Sequence, residues 1–359
     1  MEKKGSSVNI SFEFHSIEEF LKIFYILSQG KRPSSKDWSS LFDTPGYKCI
    51  LKEKDFNLSR NVFKKSFKLA FMQSKAGYLN KILQSAHTKE DVKVRLEHFL
   101  NVKSSIPLIQ RQLKFLRVTP LEKIAVNKAL EWLPKSGIKK KYVQTSLLIF
   151  TPDTYVVENR ILVDILDSTR VGRLFPLLLA HEYHHIFRGE LLAFNYRKLN
   201  RDDDQIITSI DSIQREGIAD CVDKALKEDR HVTFEAAWEN YRKFYKKKEL
   251  DEVPEIIKQI DKLLCTAFDS PKNKELIGKT LRCLIPHGGH TVGFYMACLI
   301  KGQFGKRALM IDVGNPFKFF YKYNQAALIK TGQLPVFSQK AIKFLNLLEK
   351  KYVFTSQKR

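Results

Sequence analysis

In the string Leu178-Leu179-Ala180-His181-Glu182-Tyr183-His184-His185, two imidazoles stand four residues apart, with a carboxylate directly after the first. This spacing has a mechanical meaning on an α-helix. Residues four apart share one face, so His181 and His185 can aim at a single metal ion. Glu182 is turned about 100° further round, close enough to reach a water at that metal without ligating it. A zinc ion with three protein ligands and one open position lowers the pKa of its water to about 7, and a neighbouring carboxylate can then take the proton. The flanks fit such a helix. The run from Leu174 to Ala180 is apolar, as a buried central helix requires. Pro176 fits only near the start, and Arg188-Gly189 marks the end. His184, three residues after His181, lies near the same side. It reads as a neighbour of the metal, with a ligand or second-shell role as the alternatives.

Two histidines leave such a metal short of a ligand. Downstream, Glu216 and Asp220 are four apart in a stretch whose apolar positions are Ile210, Ile213, Ile218 and Val222. One helical face could then present both carboxylates. Glu216 would complete a two-His, one-Glu set. Asp220 would accept a hydrogen bond from the outer nitrogen of a ligand His and fix its tautomer. Gly217 and Ala219 would let this helix pack close against the first. The plainer alternative is an acidic solvated face, since Asp202, Asp203, Asp204 and Asp211 precede the pair.

The two helices together resemble the gluzincin, or thermolysin-like, branch of zinc metallopeptidases. His-Glu-Tyr-His-His followed by Glu-Gly-Ile-Ala-Asp is similar still more closely to poorly characterised bacterial families of zinc-dependent peptidases. The resemblance spans about residues 145–325. It implies a zincin-like fold, one zinc per chain on His181, His185 and Glu216, Glu182 as general base, Asp220 behind a ligand His, and a peptide or protein substrate. It also implies that a sheet edge before the metal helix, the 160–166 region, pairs with extended substrate. The gap between the two motifs is longer than in thermolysin, so the Asp202–Asp211 connection reads as an inserted loop.

Further on, Pro286, Gly288 and Gly289 interleave with His287 and His290, an irregular loop. Thr291 is a plausible N-cap for a helix over 292–300. Metal-assisted amide hydrolysis builds an oxyanion, which needs a donor aimed at it. His290, His287 and Tyr295 are the candidates, as in related peptidases where a downstream His or Tyr has this role. His290 comes first because it immediately precedes a helix start. A turn with structural histidines is the alternative.

At 359 residues and 43% hydrophobic content the chain can build real cores. No apolar run approaches the roughly 18 residues that span a bilayer, and the N-terminus has no signal-peptide pattern, so a cytoplasmic location is expected. The five cysteines are scattered, which suits reduced thiols, with Cys221 a small buried residue. The net charge of +23 allows a weak polyanion contact. The basic residues are nonetheless dispersed. In the densest run, Trp238, Tyr241 and Tyr245 form a helical apolar stripe with lysines on its wet side.

The expected fold class is α+β and mostly helical, with a small sheet. Residues 1–134 form a helical scaffold opened by a strand at 8–14, with helices capped at Ser16, Thr88 and Thr119 and amphipathic pieces near 59–73, 76–86 and 90–101. Residues 142–335 form the metallopeptidase domain, beginning with strands at 142–150 and 160–166 joined by a Pro152-Asp153 turn. Later helices start at Thr233, Pro254, Ser270-Pro271, Thr291, Asn315-Pro316 and Ser338, with Gly332 closing one. Residues 336–359 are a C-terminal helix and tail. Two other function classes fit the residues: a metal-stabilised binding or regulatory protein without turnover, and a basic nucleic-acid-associated protein.

Overall fold

The alternation of Ile10 and Phe12 with Ser11 and Glu13 produces the expected first strand, β1 (Asn9–Glu13). The computed structural model describes residues 9–53, 58–135, 137–139, 142–224, 243–330 and 334–353. The helix start expected at Thr233, the Gly332 stop and residues 238–242 of the basic aromatic run, with Trp238 and Tyr241, lie outside these residues. The fold is α+β and mostly helical with one small sheet. The chain divides into two compact units, Met1–Ala125 with Lys140–Glu182, and Val126–Lys139 with Tyr183–Arg359. This grouping differs from a cut near residues 134–142.

In the first unit β1 runs parallel to β2 (Tyr142–Leu148), and β2 runs parallel to β4 (Arg160–Asp164). Between β2 and β4 in the chain lies a strand that the sequence does not announce, β3 (Thr154–Val157), antiparallel to β4. The sheet order is β1-β2-β4-β3. This corrects the substrate-edge expectation. β4 has a strand on each side and Ile161 to Asp164 are buried, so residues 160–164 offer no free edge.

Helices α1 (His15–Ser28), α2 (Ser35–Phe42), α3 (Pro45–Lys52), α4 (Arg60–Phe71), α5 (Ala76–Gln84), α6 (Glu90–Ser104) and α7 (Ile106–Val118) follow β1. Their apolar faces meet in an aromatic core. Phe67 contacts the rings of Phe20, Trp38, Phe63, Phe71 and Phe99, the last with centroids 4.8 Å apart. Burial of each such ring stabilises by roughly 1.5–3 kcal/mol. Two expected caps are corrected. Ser16 sits inside α1, and its N–H and hydroxyl both donate to the Glu13 carboxylate. Thr88 Oγ1 donates back to the Ile82 carbonyl, and no side chain caps α6. The helix α8 (Leu121–Leu130) begins one residue after Pro120.

Of the lone histidines in this half, His15 and His87 are exposed. His98 is buried, with Nε2 2.8 Å from Asp164 Oδ2. Asp164 also accepts N–H bonds from Phe150 and Leu166, so one carboxylate pins α6, the end of β2 and α9 (Ile165–Val171).

α10 (Phe175–Arg188) starts and stops where Pro176 and Arg188-Gly189 predict. The division between units falls inside this one continuous helix. The second unit is built on α11 (Arg201–Asp223), 23 residues long. The Asp202–Asp211 stretch is therefore helix, which corrects the inserted-loop reading. Asp202, Asp203 and Asp204 occupy its first turn, where carboxylates favour the helix dipole. Asp203 is buried against Lys274, Lys351 and the Tyr352 hydroxyl. Downstream come α12 (Lys247–Asp251), α13 (Val253–Asp269), α14 (Lys274–Leu284), α15 (His290–Phe304), α16 (Lys306–Ile311), α17 (Pro316–Ile329) and α18 (Gln339–Tyr352). Asn315 and Ser338 cap α17 and α18 as expected. Thr291 is not a cap, because α15 already starts at His290.

α11 and α15 touch backbone to backbone. A Cβ added to Gly217 would lie 2.2 Å from the Gly293 carbonyl carbon, and one on Gly293 would lie 2.0 Å from the Ile213 carbonyl oxygen. Gly217 thus serves a close approach to α15.

Candidate metal centre

The four-residue spacing of His181 and His185 puts both on one side of α10, His181 in its middle and His185 in its last turn. Glu216 reaches them from α11. Its carboxylate is divided between two tasks. Oε1 accepts a bond of 2.8 Å from Arg215 Nε. Oε2 lies 3.0 Å from His185 Nε2 and 3.4 Å from His290 Nε2. His181 is one turn earlier on α10. Ligand atoms of His181, Glu216 and His290 lie within 4.8 Å of one another. A second group of this kind joins His181 to Asp220 and Asp223. Imidazole nitrogens with carboxylate oxygens are the donor set zinc takes, so these residues fit the metal that the spacing implies.

Asp220, fully buried, does approach a histidine, as a tautomer-fixing carboxylate should. Both its oxygens lie 3.0 Å from His290 Nδ1. It also accepts from Lys224 Nζ at 2.5 Å. Burial works against the Lys224 charge, but Asp223 and Asp220 outweigh it and raise its pKa well above the usual lysine value. Glu182 is 8% exposed at the same helical level. His184 is fully buried, with its ring 6.4 Å from that of His185. Cys221 is a buried thiol, and all five cysteines are free.

The axial fit of α10 against α11 has its own fastening. Arg188, three residues past His185, donates to Asp211 Oδ1 at 2.5 Å and to Gln214 Oε1 at 2.7 Å. Gln214 in turn donates to the carbonyls of Asp312 and Asn315. Tyr196 donates to Asp211 Oδ2 at 2.5 Å, and burial with the Asp211 charge raises its phenol pKa. Arg188 and Asp211 are each about 2% exposed or less, so the pair is held away from water. Breaking such a pair costs about 3–5 kcal/mol. It sets the register that brings His185 to Glu216.

The other downstream candidates part company from this cluster. His287 stands in the left-handed region at φ 49°, within a 3-10 turn, with Nε2 3.2 Å from Glu249 and its side chain 44% exposed. Tyr295 is five residues past His290, so it points roughly 140° further round α15. Its ring lies 6.5 Å from that of Tyr323, and burial pushes its phenol up to about 12. Only His290 of the three is brought to Glu216. Arg215, Lys224 and Arg188 were missed by sequence reasoning. Lys224, four residues past Asp220, carried a readable signal. Arg188 read only as a helix end, and Arg215 carried no reading.

A family model described as a putative zinc dependent peptidase (DUF5700) matches residues 38–331. The match takes in most of the chain and all of these residues, and the chain belongs to that family. No curated protein and no solved structure matches it.

Proposed function

We propose that the chain is a zinc-dependent peptidase with a zincin-like, gluzincin-type centre, using one zinc held by His181, His185 and Glu216. Zinc, when bound, supplies a Lewis acid that polarises the scissile carbonyl and lowers the pKa of water. Glu182, one residue past His181, takes a proton from the attacking water and returns it to the leaving amine nitrogen. Arg215 holds Oε1 of Glu216 so that Oε2 faces the imidazoles. The observation that carries this reading is the convergence of donors from three helices, His181 and His185 on α10, Glu216 on α11 and His290 on α15. The substrate is a peptide or protein, and the family assignment gives a polyanion partner no support. Among the described residues no helix is long and apolar enough to cross a membrane.

The reading is tested with Glu182→Gln. Zinc content is expected to stay at the wild-type level while digestion of a peptide library falls by about 100- to 10,000-fold, the span general acid–base catalysis contributes. Undiminished digestion by the variant would sink the mechanism. One observation favours a second reading, a closed metal site that stabilises the fold without turnover: His290 stands as an additional donor. A wild-type protein that holds zinc and digests no peptide in the library would select it.

A further inference from the structure

The position of His290 allows two roles that demand opposite chemistry at one atom. A neutral imidazole that stabilises an oxyanion must carry its proton on Nε2. A metal ligand must present a lone pair there. The other ring nitrogen decides between them. Asp220 holds Nδ1 with both oxygens at 3.0 Å, and a carboxylate can only accept, so the proton belongs on Nδ1. Nε2 of the neutral ring is then left with its lone pair, which faces Glu216 Oε2 at 3.4 Å.

The two distances to Glu216 agree with a shared metal. Donors bound to one tetrahedral zinc at about 2.0–2.1 Å lie roughly 3.3 Å from each other. His185 Nε2 and His290 Nε2 stand 3.0 and 3.4 Å from the same Glu216 oxygen. Among the described residues, it is His290, not His185, that joins His181 and Glu216 in a mutually close set.

We propose that His290 is itself a zinc ligand and that Asp220 is its orienting carboxylate, so that the centre draws an imidazole from α15 beside the α10 imidazoles and the α11 carboxylate. This rests on the zinc reading above and assigns His290 to the metal, not to the oxyanion. A site with His290 as a fourth protein donor would have to expand to five-coordinate to admit water.

X-ray absorption counts the imidazole ligands of zinc in the wild-type protein and in folded His290→Gln. One fewer is expected in the variant. An unchanged count would overturn the assignment while leaving the peptidase reading intact. Chelator competition on His290→Gln and Asp220→Asn gives the second measurement. Zinc affinity is expected to fall by more than about 100-fold in the first and about 10- to 100-fold in the second, as loss of an orienting carboxylate does. Wild-type affinity in a folded His290→Gln protein contradicts the proposal. Failure of the folded wild type to bind zinc at all would overturn the underlying reading, and this inference with it.

Discussion

The aromatic core of the first unit is buried among rings, whereas the α10–α11–α15 centre is a partly exposed cluster of charged and imidazole groups. Phe67 is surrounded by other rings, whose edge-to-face and stacked preferences are worth only about 0.5–1.5 kcal/mol per pair. Around Glu216 the buried groups are charged, and each is tied to named partners: Arg215, His185, His290, and, along the same helix, Asp211 to Arg188 and Asp220 to Lys224. An apolar core tolerates loose specification, because any ring of about the right volume fills it. Buried charges tolerate none, because a partner removed leaves a charge that must be desolvated alone. The first region therefore fixes stability, and the second fixes both stability and geometry.

Arg188→Ala tests this difference with the largest expected effect. It leaves Asp211 buried without its cation, so denaturant unfolding should show a loss of about 3–5 kcal/mol. Zinc affinity should fall as well, since the register of α10 on α11 is loosened. A variant with full zinc affinity would separate the Arg188 network from the centre. Phe67→Ala should destabilise by about 3–5 kcal/mol, the usual cost of emptying an aromatic site. Its folded fraction, however, should bind zinc as the wild type does. Weaker zinc binding in the folded fraction would show that the aromatic core also shapes the site.

The smallest effect comes from Asp167 on α9, in the same unit as the aromatic core. Burial, with Asp164 adding to it, raises the Asp167 pKa from 3.8 to about 6, against the opposing pull of Arg170 and His98. Because the folded value is the higher one, the native state binds more protons than the unfolded chain between these two values. Stability should therefore decline as pH rises from about 4 to 6 and level off above. Asp167→Asn should remove that part of the decline. An identical pH–stability profile for the variant would show that Asp167 is not its source.

The metal helix was legible in the sequence because its chemistry has a period: two imidazoles four apart, an apolar run before them, proline at the start and Arg-Gly at the end. The helices of the first half were legible from amphipathic spacing, though two of their caps were not. Ser16 and Thr88 satisfy other partners, Glu13 and the Ile82 carbonyl, which compete with the capping role. β3 was lost behind the Pro152-Asp153 turn because four residues are too few for alternation to declare itself. The aspartates at 202–211 read as solvated loop because their partners are distant in sequence. Lys274, Lys351 and Arg188 reach them only through the tertiary fold. His290 was found as a loop histidine ahead of a helix. Its pairing with Asp220, seventy residues away, could not be read from spacing.

The most direct measurement is the zinc content of purified, chelator-washed wild type beside that of Glu216→Ala. About one equivalent in the wild type and a large loss in the variant is the expected result, since the Glu216 carboxylate faces both His185 and His290. Equal zinc in both proteins would contradict a centre built on Glu216.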